Sequence, residues 1–370
     1  MRLGDVPDDP SFNPTRLTFA RRRRGYHKSQ LADLTGMHIR SLTAFEAGEF
    51  LPASETLDRL GSALSFPPEF FSGEDLDEPS LDTGSFRSMS KMTARQRDMA
   101  LCQAAIGLHL SSWIEGRFEL PQPDLPDLGR EPDPEAAAEF VRRTWLLGVL
   151  PARNMVHLLE SKGVRVFSLS VDAREVDAFS LWKGGLPYVF LNTNKTSEHS
   201  RYDAAHELGH LILHKHGTPR GRDAEMQANR FASAFLMPRA SVLASAPRFP
   251  TYATLVSLKK LWGVSVAALA YRLHELAVIS DWQYRGLAIE ISKNDRTKEP
   301  EGIPRETSLI LPMIFGRLYE EGLTRSKIAT ALAISTAELE QLLLGLVMTS
   351  VQGGGAHSGQ MPNPRLTRIK

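Results

Sequence analysis

Five prolines between residues 120 and 134, in the stretch LPQPDLPDLGREPDP, bar any helix from crossing that region. An earlier segment, DLDEPSLDTGS from residue 75, gathers acids, Pro, Gly and Ser and has the composition of a linker. The chain must therefore fold as separate stretches, and its 370 residues exceed one ordinary core. The breaks divide it into residues 1–75, 76–132, 133–245, 246–350 and a tail, 351–370, expected to be disordered.

Residues 14–72 read as short helices with small turns. From 86 to about 118 the spacing of Met99, Leu101, Ile106, Leu108, Leu110, Trp113 and Ile114 predicts one long helix with an apolar face. Two further helices, PEAAAEFVRRTWLLG and ARNMVHLLESKG, fill 134–162, the second ended by Gly163. VRVFSLS, DAFSLWKG and LPYVFLN then read as three short strands, with Gly184 and Gly185 offering a hairpin turn. A helix holding residue 206 follows, then the loop KHGTPRGRD, then a helix from about 223 to 236 stopped by Pro238. Helical stretches at 252–278 and 306–347 flank the charged break SKNDRTKEPEGIP. The fold class is α+β, mostly helical.

The formal net charge is only +1, so any attraction for nucleic acid must come from a local patch. One lies between residues 14 and 48, where seven Arg and Lys face two acids. A single cysteine, Cys102, excludes an intramolecular disulfide and a thiolate zinc cluster, and fits a reducing compartment. No apolar run reaches bilayer length, and the acidic, Pro-rich MRLGDVPDDPSFNP lacks the order of a signal peptide. A cytoplasmic location with no membrane partner is expected.

KSQLADLTGMHIRSLTAF reads as two helices packed across a tight turn. Leu31, Met37, Leu42 and Phe45 fall where such a unit needs apolar contacts, Ala32 is small, and Gly36 supplies a permissive turn. Such a unit can also be a small bundle for protein contact. The longer span from Arg16 to Phe71 resembles the Xre (phage-repressor-like) helix-turn-helix DNA-binding domain, keeping Glu46, Gly48, Pro52 and Leu57 in the family's order. The resemblance implies that the helix beginning near His38 enters the major groove of a double-stranded operator. His38, Ile39, Arg40 and Thr43 would then face base edges, with Lys28 and Ser29 near phosphate. Arg21, Arg22, Arg23 and Arg24 would add a cluster for the DNA backbone. It also implies a homodimer on a palindromic site. The family's usual glutamine near positions 28–30 is represented only by Gln30, displaced by two.

In DAAHELGHLILH, residues 203–214, His206 and His210 lie one helical turn apart on the same face and can bind one ion. Glu207 beside them can act as a general base on a metal-polarised water. A hydrolytic site needs a third protein ligand and an open position. The helix DAEMQANRFASAFLMP offers Glu225, aimed by the packing of Ala228, Phe231, Ala232, Phe235 and Leu236, with Asp223 as the fallback. The preceding strands would form a small sheet whose edge can align an extended peptide. Residues 135–240 resemble the ImmA/IrrE metallopeptidases, which combine HExxH with a later E-x-x-A-N-x-F-A segment, here EMQANRFA. By that resemblance His206, His210 and Glu225 are ligands of Zn2+, or of another divalent ion such as Mn2+, and Glu207 is the catalytic base. His214 and His216 are expected outside the ligand set. His199 and Tyr202 are candidates to flank the cleft, one of them donating to an oxyanion.

The expected organisation is thus an Xre-type domain (1–75), a linker and long helix (76–132), a zincin-like peptidase domain with a small sheet (133–245), a helical C-terminal region (246–350) and the tail. In that region TLVSLKKLWGVSVAALAYRLHELAVIS and GLTRSKIATALAISTAELEQLLLG have turn spacing like helix-turn-helix units. Their balanced charge favours packing or partner helices over DNA contact. The resemblance is to Xre–ImmA/IrrE fusions of prophages and toxin–antitoxin loci. It implies a transcriptional regulator with a zinc endopeptidase domain that cleaves a repressor- or antitoxin-type protein encoded nearby. The competing reading is a non-hydrolytic antitoxin or autorepressor whose metallo-domain binds a partner protein.

Overall fold

The computed structural model describes residues 12–79, 92–128, 133–169, 178–216, 221–293, 298–347 and 367–368. Within them the chain is mostly helical with a small sheet, an α+β architecture. Helix α1 (Pro14–Arg23) starts where the Asn13 side chain accepts from the Thr15 N–H and Pro14 takes the first helical position. Helices α2 (Lys28–Thr35) and α3 (Ile39–Glu46) are separated by Gly36, whose φ of +63° closes α2 in the left-handed conformation. Helix α4 (Ser54–Leu64) and a 3-10 turn at Pro68–Ser72 follow. Leu17, Leu31, Leu42, Leu60, Leu64 and Phe70 form the interior of this unit, with Met37 and Phe45 packed partly buried against it.

Helix α5 (Ala94–Glu115), expected as part of a linking region, is a core element. Ala100, Cys102, Ala104, Ile106 and Leu110 on it are fully buried. One end packs on α1, where the Cys102 thiol faces the Phe19 carbonyl. Further along, Gly107 admits the Phe190 ring so closely that a Cβ would stand 2.7 Å from it. The predicted start near residue 86 lies outside the described residues.

After strand β1 (Phe118–Glu119), residues 120–128 of the Pro-rich stretch carry no helix or strand, and helices α6 (Pro134–Thr144) and α7 (Met155–Ser161) follow. Strands β2 (Arg165–Ser168), β3 (Ala178–Lys183) and β4 (Leu186–Leu191) form a sheet in the order β2-β4-β3, with β4 parallel to β2 and antiparallel to β3. Stacked Phe167, Phe179 and Phe190 fill the face toward α5. One residue on from Phe179, Ser180 points the opposite way, toward helix α8 (Ser197–Leu213), as the two-residue strand period demands. Helix α9 (Arg222–Leu236) crosses α8 tightly at Gly209, where a Cβ would meet the Phe231 ring at 3.1 Å and the Ala228 backbone at 3.3 Å.

The described residues that follow are mostly helical: α10 (Arg239–Ser245), α11 (Tyr252–Leu258), α12 (Val266–Glu275), α13 (Asp281–Ser292), α14 (Ile310–Glu320), α15 (Arg325–Ala331) and α16 (Thr336–Leu343). Sequence periodicity does not reveal α10 and α13, because each buries one side chain, Val242 and Leu287. These helices pack on the sheet-bearing core. Lys259 is buried against Glu198 of α8, and Glu160 of α7 accepts N–H bonds from Leu309 and Ile310 at the start of α14. Thr193, just past β4, donates to the Leu344 carbonyl after α16. Most of the tail lies outside the described residues, but strand β5 (Thr367–Arg368) pairs antiparallel with β1. No single helix among the described residues is long and apolar enough to cross a membrane.

Arg21, Arg22, Arg23 and Arg24, which the sequence reading assigns to the DNA backbone, each pair with carboxylates of this chain. Arg21 pairs with Glu46 at 2.6 Å, and Arg22 with Glu78 and Asp98 at 2.8 and 3.1 Å. Arg23 and Arg24 share Glu338 of α16 at 2.9 and 2.7 Å, with Arg23 only 3% exposed and Glu338 1%. A guanidinium whose donors are taken by carboxylates contributes structure, and its charge is neutralised locally.

Candidate metal centre

Helix α8 begins at Thr196, whose hydroxyl caps the His199 N–H, and runs under the sheet. That position fixes the outcome of its spacing: His206 and His210 project together, Nε2 to Nε2 at 3.1 Å. Glu225, in the first turn of α9, is brought over them by the close crossing at Gly209. One of its carboxylate oxygens stands 3.4 Å from His206 Nε2 and the other 3.4 Å from His210 Nε2. The three residues form a group able to hold a metal ion. Asp223, the fallback ligand, is exposed at the start of α9 and outside this group.

Hydrogen bonding shows which nitrogen each ring offers. Asn229 Oδ1 lies 3.2 Å from His206 Nδ1, while the same amide donates to the Glu225 carbonyl at 2.9 Å. An amide oxygen only accepts, so His206 Nδ1 donates to it, and Nε2 is the nitrogen that faces Glu225. Two ring nitrogens and a carboxylate thus converge, an arrangement held together by a shared cation, whether a proton on one ring or a metal ion. The spacings also fit: atoms on a common tetrahedral zinc at ~2.0–2.1 Å stand ~3.3–3.4 Å apart. This nitrogen and oxygen donor set suits zinc or another borderline divalent ion.

Burial differentiates the titrating groups. It lowers the His210 imidazole to about 4, against the pull of Glu225. For His206 burial acts the same way, but the Glu225 hydrogen bond and nearby carboxylates outweigh it and the net shift is upward. Burial also opposes ionisation of Glu225, yet the two imidazoles hold it well below the usual carboxylate range. Glu207, 2% exposed, is pushed up to about 7 by burial, a value matched to general base work near neutrality. Its Oε2 accepts from Ser180 Oγ at 2.7 Å, which ties it to the edge strand β3.

Sequence spacing finds the histidines and both glutamates and leaves His214 outside the ligand set, but it does not single out Ser180, Asn229 or Gln227. Asn229 had a local signal, four residues after Glu225 on one helix face. Ser180 had only its polarity inside an apolar strand. His214 lies outside the ligand group, on the Nδ1 side of His210, and His216 pairs with Asp127. The Tyr202 hydroxyl donates to the Asn229 carbonyl, and His199 faces Asp203 at 3.5 Å. Of the residues assigned to DNA, Ser29, His38, Ile39, Arg40 and Thr43 are exposed on one unit, while Lys28 leans on Glu46 at 3.2 Å.

Residues 159–274 match the M78 peptidase family model, described as the IrrE N-terminal-like domain. The span runs from Leu159 in α7 to His274 in α12, so it takes in the sheet, α8, α9 and every residue of the His206–Glu225 cluster. The match points to a metallopeptidase-type function. A search of curated proteins gives no match to the chain.

Proposed function

We propose that the chain is a cytoplasmic transcriptional regulator carrying a zinc-dependent endopeptidase, and that its target is a repressor- or antitoxin-type protein. The observation that carries the peptidase half is the convergence of His206, His210 and Glu225 beside a buried Glu207 whose carboxylate accepts from Ser180 Oγ. A bound Zn2+, or Mn2+ in its place, would supply Lewis acidity and lower the pKa of water. The chain's own residues do the rest. Glu207 takes the proton from the attacking water and returns it to the leaving amine, while Ser180 holds the carboxylate in place. Strand β3, at an edge of the sheet and one hydrogen bond from Glu207, is suited to align an extended substrate.

The regulatory half rests on α3. His38, Ile39, Arg40 and Thr43 are exposed there, and the open side of α2 presents Ser29. In this reading they meet operator DNA as a homodimer, with Lys28 at its edge. The test of the peptidase half is Glu207→Gln. That variant should bind one zinc as the native protein does and fail to cut the partner protein encoded beside it. Unchanged biological output would point instead to a non-hydrolytic partner-binding role.

A further inference from the structure

His210 is held from behind by a chain of two side chains. Its Nδ1 lies 2.9 Å from His214 Nδ1, and His214 Nε2 lies 3.2 Å from Gln227 Oε1. His210 and His214 are each 4% exposed, so these contacts stand largely in place of water. Two ring nitrogens at that distance share one proton. The Gln227 oxygen can only accept, so a neutral His214 carries its proton on Nε2 and leaves Nδ1 bare. The shared proton then belongs to His210 Nδ1, and His210 Nε2 is left with a free lone pair facing Glu225 and His206.

We propose that His214 and Gln227 are positioning residues that fix the tautomer and ring orientation of His210, so that cation affinity depends on the polarity of a side chain two links from the ion. The inference rests on the metal-binding reading above and deepens it. Metal-bound imidazoles ordinarily donate to a carboxylate, carbonyl or water, which are acceptors whatever lies behind them. Here the acceptor is a second imidazole, which can equally well donate. Gln227 on α9 decides which it does, and α9 also supplies Glu225. The same helix therefore brings one ligand and sets the state of another.

Reversing the polarity of the relay tests it. Gln227→Lys presents a donor to His214 Nε2, which transfers the His214 proton to Nδ1 and forces the His210 proton onto Nε2, where the ion would bind. Gln227→Glu keeps an acceptor. Position 227 is only partly buried, so both variants should fold, which circular dichroism checks. In competition with a chromogenic chelator, Gln227→Lys should bind zinc ~10–100-fold more weakly than the native protein, and Gln227→Glu should stay close to it. Equal affinities for the two variants overturn the proposal. In the metal-free, 15N-labelled native protein, two-bond nitrogen–proton correlations should place the His210 proton on Nδ1, and a proton on Nε2 overturns it as well. A native protein that takes up no zinc would defeat the metal-binding reading, while the ring-proton measurement, made without any ion, still decides the relay.

Discussion

Charged residues cluster in two places in this chain, and the structure treats them in opposite ways. At the end of α1 four consecutive arginines each find carboxylates from elsewhere in the chain: Glu46, Glu78, Asp98 and Glu338. In α8 and α9 two imidazoles and a carboxylate find one another, with nitrogen lone pairs turned inward. The first cluster is electrically complete and the second is short of a positive charge. A dense run of one charge type is therefore a poor guide to function by itself. What distinguishes the second cluster is that its Nε2 atoms and the Glu225 carboxylate face one another, while the other ring nitrogens are held from behind by Asn229 and His214.

The comparison breaks most clearly at the ligands. Replacing His210 or Glu225 by Ala should abolish zinc uptake, an effect larger than the ~10–100-fold expected from outer positions; elemental analysis of the purified variants measures it. Tight zinc binding by either variant would erase the difference between the clusters. Next in size is Glu338→Ala, which leaves the buried Arg23 without its counter-charge. Breaking such a pair should cost about 3–5 kcal/mol, read as a lowered denaturant midpoint. The double change of Arg23 to Met and Glu338 to Leu should recover part of that loss, because the buried guanidinium is gone while the more exposed Arg24 still lacks its partner.

A smaller effect separates arginines within the N-terminal unit. If α3 meets DNA, Arg40→Ala should weaken operator binding by about 1–3 kcal/mol at each salt concentration and relax its sequence preference, whereas Arg24→Ala should leave both unaltered. A gel-shift series at several salt concentrations distinguishes them. The smallest effect is at Cys102, whose thiol burial pushes up to about 12. Burial disfavours the thiolate, so at pH 8 almost none exists, and iodoacetamide should leave the folded protein unmodified by mass spectrometry while labelling it in denaturant.

Much of the site could be read in advance because its spacing is local. His206, Glu207 and His210 lie within one turn and a half of helix, and Glu225 sits at the head of the next one. The helices of residues 14–72 and the three strands were legible for the same reason, through periods of a few residues and their turn signals. The role of Arg23 was not, since its partner is more than three hundred residues away. Ser180 was hidden because its meaning depends on which helix covers the sheet. Helix α13 escaped because a helix lying on the surface, with Leu287 alone buried, carries no apolar rhythm.

The pairing of Arg23 and Arg24 with Glu338 also has a consequence for how the molecule is made. During synthesis the two guanidinium groups leave the ribosome long before their carboxylate does, by roughly 15–60 s at ordinary elongation rates. Throughout that interval these two guanidinium groups lack the carboxylate they finally share, beside an RNA-rich machine, although the apolar interior of residues 14–72 is already synthesised.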